Sequence, residues 1–289
     1  MSTSTHPNPV HAAPTIRPIA RRQRGQATSD GAGVRLTRVI GTPQLSELDP
    51  FLMLDEFGSD APGDYLAGFP SHPHRGFETV TYMLDGRMRH KDNHGNEGLL
   101  TPGSVQWMTA GRGLVHSEMP EQEEGLMRGF QLWINLPAKD KMCAPAYQEF
   151  PADGIPTATI ANGVVAKVIA GRIGDIVGPV SQPATDPSYF DVSIDAGATF
   201  AHALPAGHNV FAYVYEGEVA IDAATVQRGE LVVFGAGEAV RVEGRAVASR
   251  FILVAGRPIG EPVARYGPFV MNTQAEIMQA VRDFQAGKF

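Results

Sequence analysis

The 289 residues carry 24 Lys+Arg against 31 Asp+Glu, a formal charge of −7, which excludes the basic footprint of a nucleic-acid binder. The single cysteine, Cys143, excludes an intrachain disulfide and a CxxC metal or redox site, and no apolar run approaches the roughly 20 residues that span a bilayer. With 32 Gly, 22 Pro and 43% hydrophobic residues, the composition points to short strands and many turns in one large domain or two modest ones.

Residues 1–29 hold four Arg and no acid, with scattered Pro and no apolar h-region. They are read as a flexible tail in which His6 and His11 are solvated and which proteases cut first at Arg21, Arg22 or Arg24. A cytoplasmic location is expected. The Arg- and Ser-rich, acid-poor composition is also that of organellar transit peptides, and Arg21, Arg22 and Arg24 form a short basic cluster of the kind nuclear signals use.

From residue 34 to 256 strand patterns dominate. In 78–84, Val80, Tyr82 and Leu84 share one face before an Asp85-Gly86 turn. Strands follow at 103–111 and 129–136, and a second series occupies 211–221, 229–237 and 250–256. The two series overlay. TVTYMLDGRM (79–88) matches VFAYVYEGEV (210–219), with Tyr82 on Tyr213; PGSVQWMTAGRGLVHSE (102–118) matches RGELVVFGAGEAVRVEG (228–244), with Gly103 on Gly229. A pattern repeated some 126–131 residues apart predicts a duplicated all-β chain of two small barrels or jelly rolls. The predicted division is a barrel over 30–137, a connector over 138–165, a second barrel over 166–270 and a helix over 271–289. Thr273 and Glu276 form a capping box for that helix, and Ile277, Met278, Val281 and Phe284 form its apolar stripe.

Five of the nine histidines, His72, His74, His90, His94 and His116, fall within 45 residues. His72 and His74 are spaced i, i+2, so on a strand both imidazoles reach one face. His116 and Glu118 repeat that spacing. Three imidazoles and a carboxylate suit a first-row transition metal and leave a position open, whereas a structural zinc site would close all four, often with Cys. Glu78, at +4 from His74, competes with Glu118 as the carboxylate. His90 and Asp92 are read as a solvated hairpin end. In the overlay His72, His74 and His116 fall opposite Ala203, Pro205 and Val242, so the second barrel is expected to be metal-free. GAGEAV (235–240) lacks the third Gly of a dinucleotide loop, and no GxSxG elbow or Walker sequence occurs. Cys143 reads as an inert thiol.

Several stretches resemble the pirin family of bicupin proteins. They are LDPFLMLDEFGSD (48–60), FPSHPHRGFETVTYMLDG (69–86), HKDNHGNEGLLTPGSVQWMTAGRGLVHSEMP (90–120), QLWINL (131–136) and YGPFVMNTQAEI (266–277). The resemblance covers nearly everything after residue 30 and implies two tandem cupin barrels with one iron site. That site maps onto His72, His74, His116 and Glu118, favouring Glu118 over Glu78. The ligand chemistry accepts Fe, Mn, Co, Ni, Cu or Zn; the resemblance favours Fe. It also implies a function as a quercetin 2,3-dioxygenase, which opens a flavonol with O2 and releases carbon monoxide, with Glu118 as catalytic base. The alternative it offers is a non-catalytic iron-binding regulator of partner proteins or transcription. A monomer without direct contact to nucleic acid or membrane is expected.

Overall fold

The computed structural model describes residues 13–289. The expected flexibility of residues 1–12, and the solvated His6 and His11, lie outside that range. The chain folds into two cupin barrels of identical strand order. Each has a seven-stranded and a four-stranded antiparallel sheet.

The first large sheet runs Ala146–Phe150, Val105–Thr109, Phe77–Asp85, Met127–Asn135, Phe51–Ser59, Val34–Ile40 and Gln26–Asp30. The second runs Ile19–Arg24, Glu230–Phe234, Asn209–Glu216, Ser249–Gly256, Ser188–Ile194, Val164–Ala170 and Thr157–Ala161. The small sheets correspond in the same way. One is Phe69–His74, Leu114–Pro120, Met88–Asp92 and Glu97–Leu100, and the other is Thr199–Ala203, Ala239–Gly244, Glu218–Ile221 and Ala224–Gln227.

The segment read as a flexible tail is a correction from residue 13 onward. Ile19–Arg24 pairs with Glu230–Phe234 as the edge strand of the second barrel, and Gln26–Asp30 pairs with Val34–Ile40 in the first. What fixes the segment is Arg17, a buried guanidinium that donates to the carbonyls of His208 (3.0 Å), Gly235 (3.1 Å), Pro205 (2.8 Å) and Ala206 (3.1 Å). Single-sequence reasoning saw polarity without apolar periodicity; an edge strand held by backbone pairing and one buried cation needs none. GAGEAV is the loop that receives this anchor. At Gly237 a Cβ would lie 2.7 Å from Arg17 Cγ, so the glycine is needed for the approach.

The stretch 138–165 likewise contributes strands to both barrels. Ala146–Phe150 supplies the seventh strand of the first sheet, the place that Ile19–Arg24 takes in the second. The two barrels thus complete their large sheets with segments outside the repeated pattern, one of them from the opposite end of the chain.

The large sheets face each other. Val80, Tyr82, Trp107, Phe130 and Leu132 of the first pack on Tyr189, Phe211, Tyr213, Tyr215 and Ile252 of the second. Asp191 is buried at this contact, where it accepts hydrogen bonds from the Tyr82 hydroxyl (2.6 Å), the Tyr215 hydroxyl and Arg250 (2.6 Å). The face of Phe77–Asp85 that carries Val80 and Tyr82 therefore turns toward the second barrel, and its other face, with Thr79 and Thr81, turns into the first.

The helix forms over Gln274–Gln285, with Thr273 Oγ1 accepting from Glu276 N and Glu276 Oε2 accepting from Thr273 N. Its buried stripe is narrower than the sequence suggests. Ile277 and Ala280 are buried, while Met278 is 54% and Phe284 39% exposed. The helix and the hairpin Ala264–Tyr266/Phe269–Met271 return to the first barrel. Arg75 pairs with Asp283 at 2.9 Å and lies 4.2 Å from the Phe289 ring centroid, and Val270 N donates to Arg75 O. Among the described residues no helix is long and apolar enough to cross a membrane.

Candidate metal centre

The strand Phe69–His74 runs antiparallel to Leu114–Pro120, with His72 directly opposite His116. Residues opposite each other across a ladder, and residues i, i+2 along a strand, share a face. Those two rules bring His72, His74 and His116 together. The His72 Nε2 lies 3.0 Å from the Nε2 of His74 and 3.0 Å from that of His116, and ligand atoms of the three rings all fall within 4.8 Å of one another.

The phase is fixed by the end of the first strand. Gly76 adopts φ +87°, and a Cβ there would lie 2.0 Å from the Val270 carbonyl oxygen, so the chain turns at a point only glycine fits. This turn also removes Glu78 from contention. Alternation does not carry across Arg75-Gly76, and Glu78 shares the outward face of Val80 and Tyr82. It is fully buried away from the imidazoles, where it accepts from Thr109 Oγ1 (2.6 Å) and Gln182 Nε2 (2.5 Å). Burial raises the pKa of this carboxyl.

Glu118 is buried and lines the same cavity as His72 and His74. A register shift between His116 and Glu118 sets it opposite Phe69, and its Oε1 accepts from Thr81 Oγ1 at 3.3 Å. Its carboxylate stands apart from the three-imidazole group.

Burial drives the His74 pKa well below its ordinary value, with His116 and His72 adding to the effect, and burial brings His116 down to about 4. Both rings are therefore neutral near pH 7, the form that offers a lone pair to a metal. His72 Nδ1 lies 2.9 Å from the Pro70 carbonyl, which places the proton on Nδ1 and leaves Nε2 free to ligate. His74 Nδ1 and His116 Nδ1 are buried without a hydrogen-bond partner; the Pro268 carbonyl favours a proton on His74 but falls short of bonding geometry. Three Nε2 atoms this close cannot all satisfy one another with protons. The donor set of neutral nitrogens, with a carboxylate nearby and no thiol, fits a first-row transition metal.

His72 and His74 of the triad line a cavity of about 600 Å³. Phe57, Phe69, Met53 and Trp133 give it apolar walls, and Asp30, Arg38, Asp55, Gln131 and Arg265 add polar groups. The sequence reading missed this lining. Its only trace was the i, i+2 alternation of Leu36/Arg38, Met53/Asp55 and Gln131/Trp133, which has no meaning until the strand order is known. His90, expected at a solvated hairpin end, is instead buried, bonded to Glu149 at 2.9 Å and stacked on Tyr147. Cys143 is half-buried, and burial raises its thiol pKa.

In the second barrel the ladder sets Phe200 opposite Val242 and His202 opposite Val240. With Val242 in the place of His116, as the sequence overlay has it, the residue that faces it is Phe200 and not Ala203. The overlay that placed Ala203 and Pro205 there was out of register. Phe200 and Val242 belong to the packed core of that barrel, and Phe200 meets Phe251 at 5.6 Å between ring centroids.

Residues 33–134 match the Pirin family model and residues 189–289 match the model of the Pirin C-terminal cupin domain. The chain belongs to the pirin family. A pirin-like protein of Caulobacter vibrioides is 56% identical over 95% of this chain and 99% of its own length. Pirin of Homo sapiens is 44% identical over 95% of the chain and 92% of its own. A crystal structure of quercetin 2,3-dioxygenase from Acinetobacter baumannii superposes with a TM-score of 0.88 at 33% identity, covering 95% of this pirin-family chain and 98% of that one.

Proposed function

We propose that this chain is a metal-dependent dioxygenase of the quercetin 2,3-dioxygenase type. It takes a flavonol-like aromatic and O2, with iron held by His72, His74, His116 and Glu118. The observation that carries the reading is the convergence of three Nε2 atoms, 3.0 Å apart in two of the pairs, with His72 and His74 lining a largely apolar cavity of about 600 Å³. The likeness to the Acinetobacter enzyme supports the reaction class. A set of three nitrogens with one face toward a cavity is the arrangement of a catalytic metal rather than a closed structural one.

Held by these residues, an iron ion would supply Lewis acidity toward a coordinating hydroxyl and redox chemistry toward O2. The chain does the rest. Glu118 receives the proton of the flavonol 3-hydroxyl, and the Thr81 hydroxyl, 3.3 Å from Glu118 Oε1, orients that carboxylate. Phe57, Phe69 and Trp133 hold the aromatic rings and keep water away from the reacting carbons. Both atoms of O2 enter the product, the central ring opens, and one ring carbon leaves as carbon monoxide.

Iron-loaded protein mixed with quercetin tests this. The expected result is loss of flavonol absorbance with stoichiometric O2 uptake and carbon monoxide release. Glu118→Gln should keep part of the metal and lose about a hundredfold or more in turnover. A protein that holds a full metal equivalent yet consumes no O2 with several flavonols overturns the reading. Metal-dependent binding of a partner protein would then favour the regulatory alternative.

A further inference from the structure

Two arginines line the cavity above the imidazoles, and they are differently employed. Arg38 directs its donors at carboxylates. Its Nε lies 2.9 Å from Asp55 Oδ1, and its Nη2 lies 2.8 Å from Asp55 Oδ2 and 2.7 Å from Asp30 Oδ2. Arg265 has no carboxylate in ion-pair contact among the described residues. Its Nη1 makes one long bond to the Leu52 carbonyl at 3.4 Å, and its Nη2 approaches Met53 Sδ at 4.0 Å. A guanidinium has five N–H donors in a fixed fork, so most of Arg265's capacity is unspent. The two acids that could have taken it up are held by Arg38.

Position gives this guanidinium its meaning. Its Cζ lies 4.8 Å from the Trp133 ring centroid, and that ring in turn lies 5.2 Å from His74, edge to face. Trp133 thus touches both His74 of the candidate metal site and this cation, and the stacking holds the fork in place. Arg265 comes from the hairpin that folds back from the end of the second barrel, beside Gly267 and Pro268 of the cavity wall.

We propose that Arg265 is a specificity-determining residue that pairs with an anionic oxygen group, a carboxylate or an ionised phenol, on the far end of an aromatic substrate whose near end chelates the metal. The inference rests on the dioxygenase reading of this cavity and narrows its substrate class from neutral polyphenols to acidic ones. Arg265 is exposed at the cavity wall, where a planar two-oxygen anion can reach its guanidinium fork.

The test uses a matched pair of probes, 3,4-dihydroxybenzoate and its methyl ester, which share the chelating catechol and differ in the charge at the other end. Calorimetric titration of the full chain, metal-loaded and metal-stripped, gives both affinities without turnover. In the loaded wild type the acid should bind about tenfold more tightly than the ester. Arg265→Gln should bring the acid down to the ester's affinity, and Arg265→Lys should keep part of the preference because it retains the charge without the fork. Unchanged metal content and melting temperature in the variants exclude misfolding as the cause. Equal affinities in the wild type, or a preference that survives Arg265→Gln, overturn the proposal. The underlying dioxygenase reading fails separately, if neither probe binds the metal-loaded chain more tightly than the stripped one.

Discussion

In the first barrel the pairing of Phe69–His74 with Leu114–Pro120 sets His72 opposite His116; in the second, the equivalent pairing of Thr199–Ala203 with Ala239–Gly244 sets Phe200 opposite Val242. The ladders are the same and the occupants are opposite in kind. Phe200 and Val242 are fully buried among Val240, Phe251 and Val214, so apolar side chains fill this part of the second barrel, and a cavity of about 510 Å³ lies beside His202 and His208. The first barrel leaves a cavity of about 600 Å³ and buries ring nitrogens that find no protein partner. An ion bound at the three converging Nε2 atoms would relieve their mutual conflict, while the Nδ1 atoms of His74 and His116 stay buried without a partner. One copy therefore carries an apolar pair where the other carries the three-imidazole cluster. The shared interface of Tyr82, Phe130, Tyr213 and Tyr215 holds the two barrels together.

The contrast can be broken from either side. The largest effect is expected on metal binding. His74→Ala should lower metal affinity by roughly a thousandfold, whereas His202→Ala, at the equivalent ladder position, should leave one metal ion per chain; metal analysis after gel filtration distinguishes them. The reverse pattern is expected for folding. Phe200→Ala should destabilise the chain by about 3–5 kcal/mol in urea titration through the cavity it leaves, and the purified variant should keep its metal.

A third effect separates the barrels by pH. Burial holds the folded His116 pKa near 4, below the 6.5 of an unfolded histidine. Between those values the unfolded chain binds more protons. Metal-free protein should therefore be least affected above pH 6.5 and lose stability as pH falls from 6.5 toward 4, by about 3 kcal/mol from this group. His116→Val, which copies the second barrel, should show a shallower fall over the same range. The smallest effect concerns the crossing strand. Arg17→Ala strands four carbonyls and should cost about 2 kcal/mol, and it should expose Arg21, Arg22 and Arg24 to trypsin, which the folded wild type protects.

Much of this was legible in the chain itself. The repeated strand pattern, the capping box at Thr273 and the i, i+2 histidine pair all follow from local periodicity, and the structure places them accordingly. What stayed hidden depends on strand order. Arg17 becomes an anchor only because four carbonyls from residues 205–235 surround it. Glu78 is turned outward by a break at Gly76 that alternation alone does not register. Arg265 reaches the cavity because the C-terminal hairpin crosses back to the first barrel. Aligned strand centres likewise do not fix which residues face each other in the second copy, where the ladder sets Phe200, not Ala203, opposite Val242.

A division of packing from metal chemistry between the two barrels predicts where iron binds. Anomalous diffraction at the iron edge from crystals of iron-loaded protein tests it most directly. One strong peak is predicted, within bonding distance of the Nε2 atoms of His72, His74 and His116 and reached by the carboxylate of Glu118. A comparable peak beside His202 or His208 in the second barrel, or a peak that none of the three imidazoles touches, would contradict it.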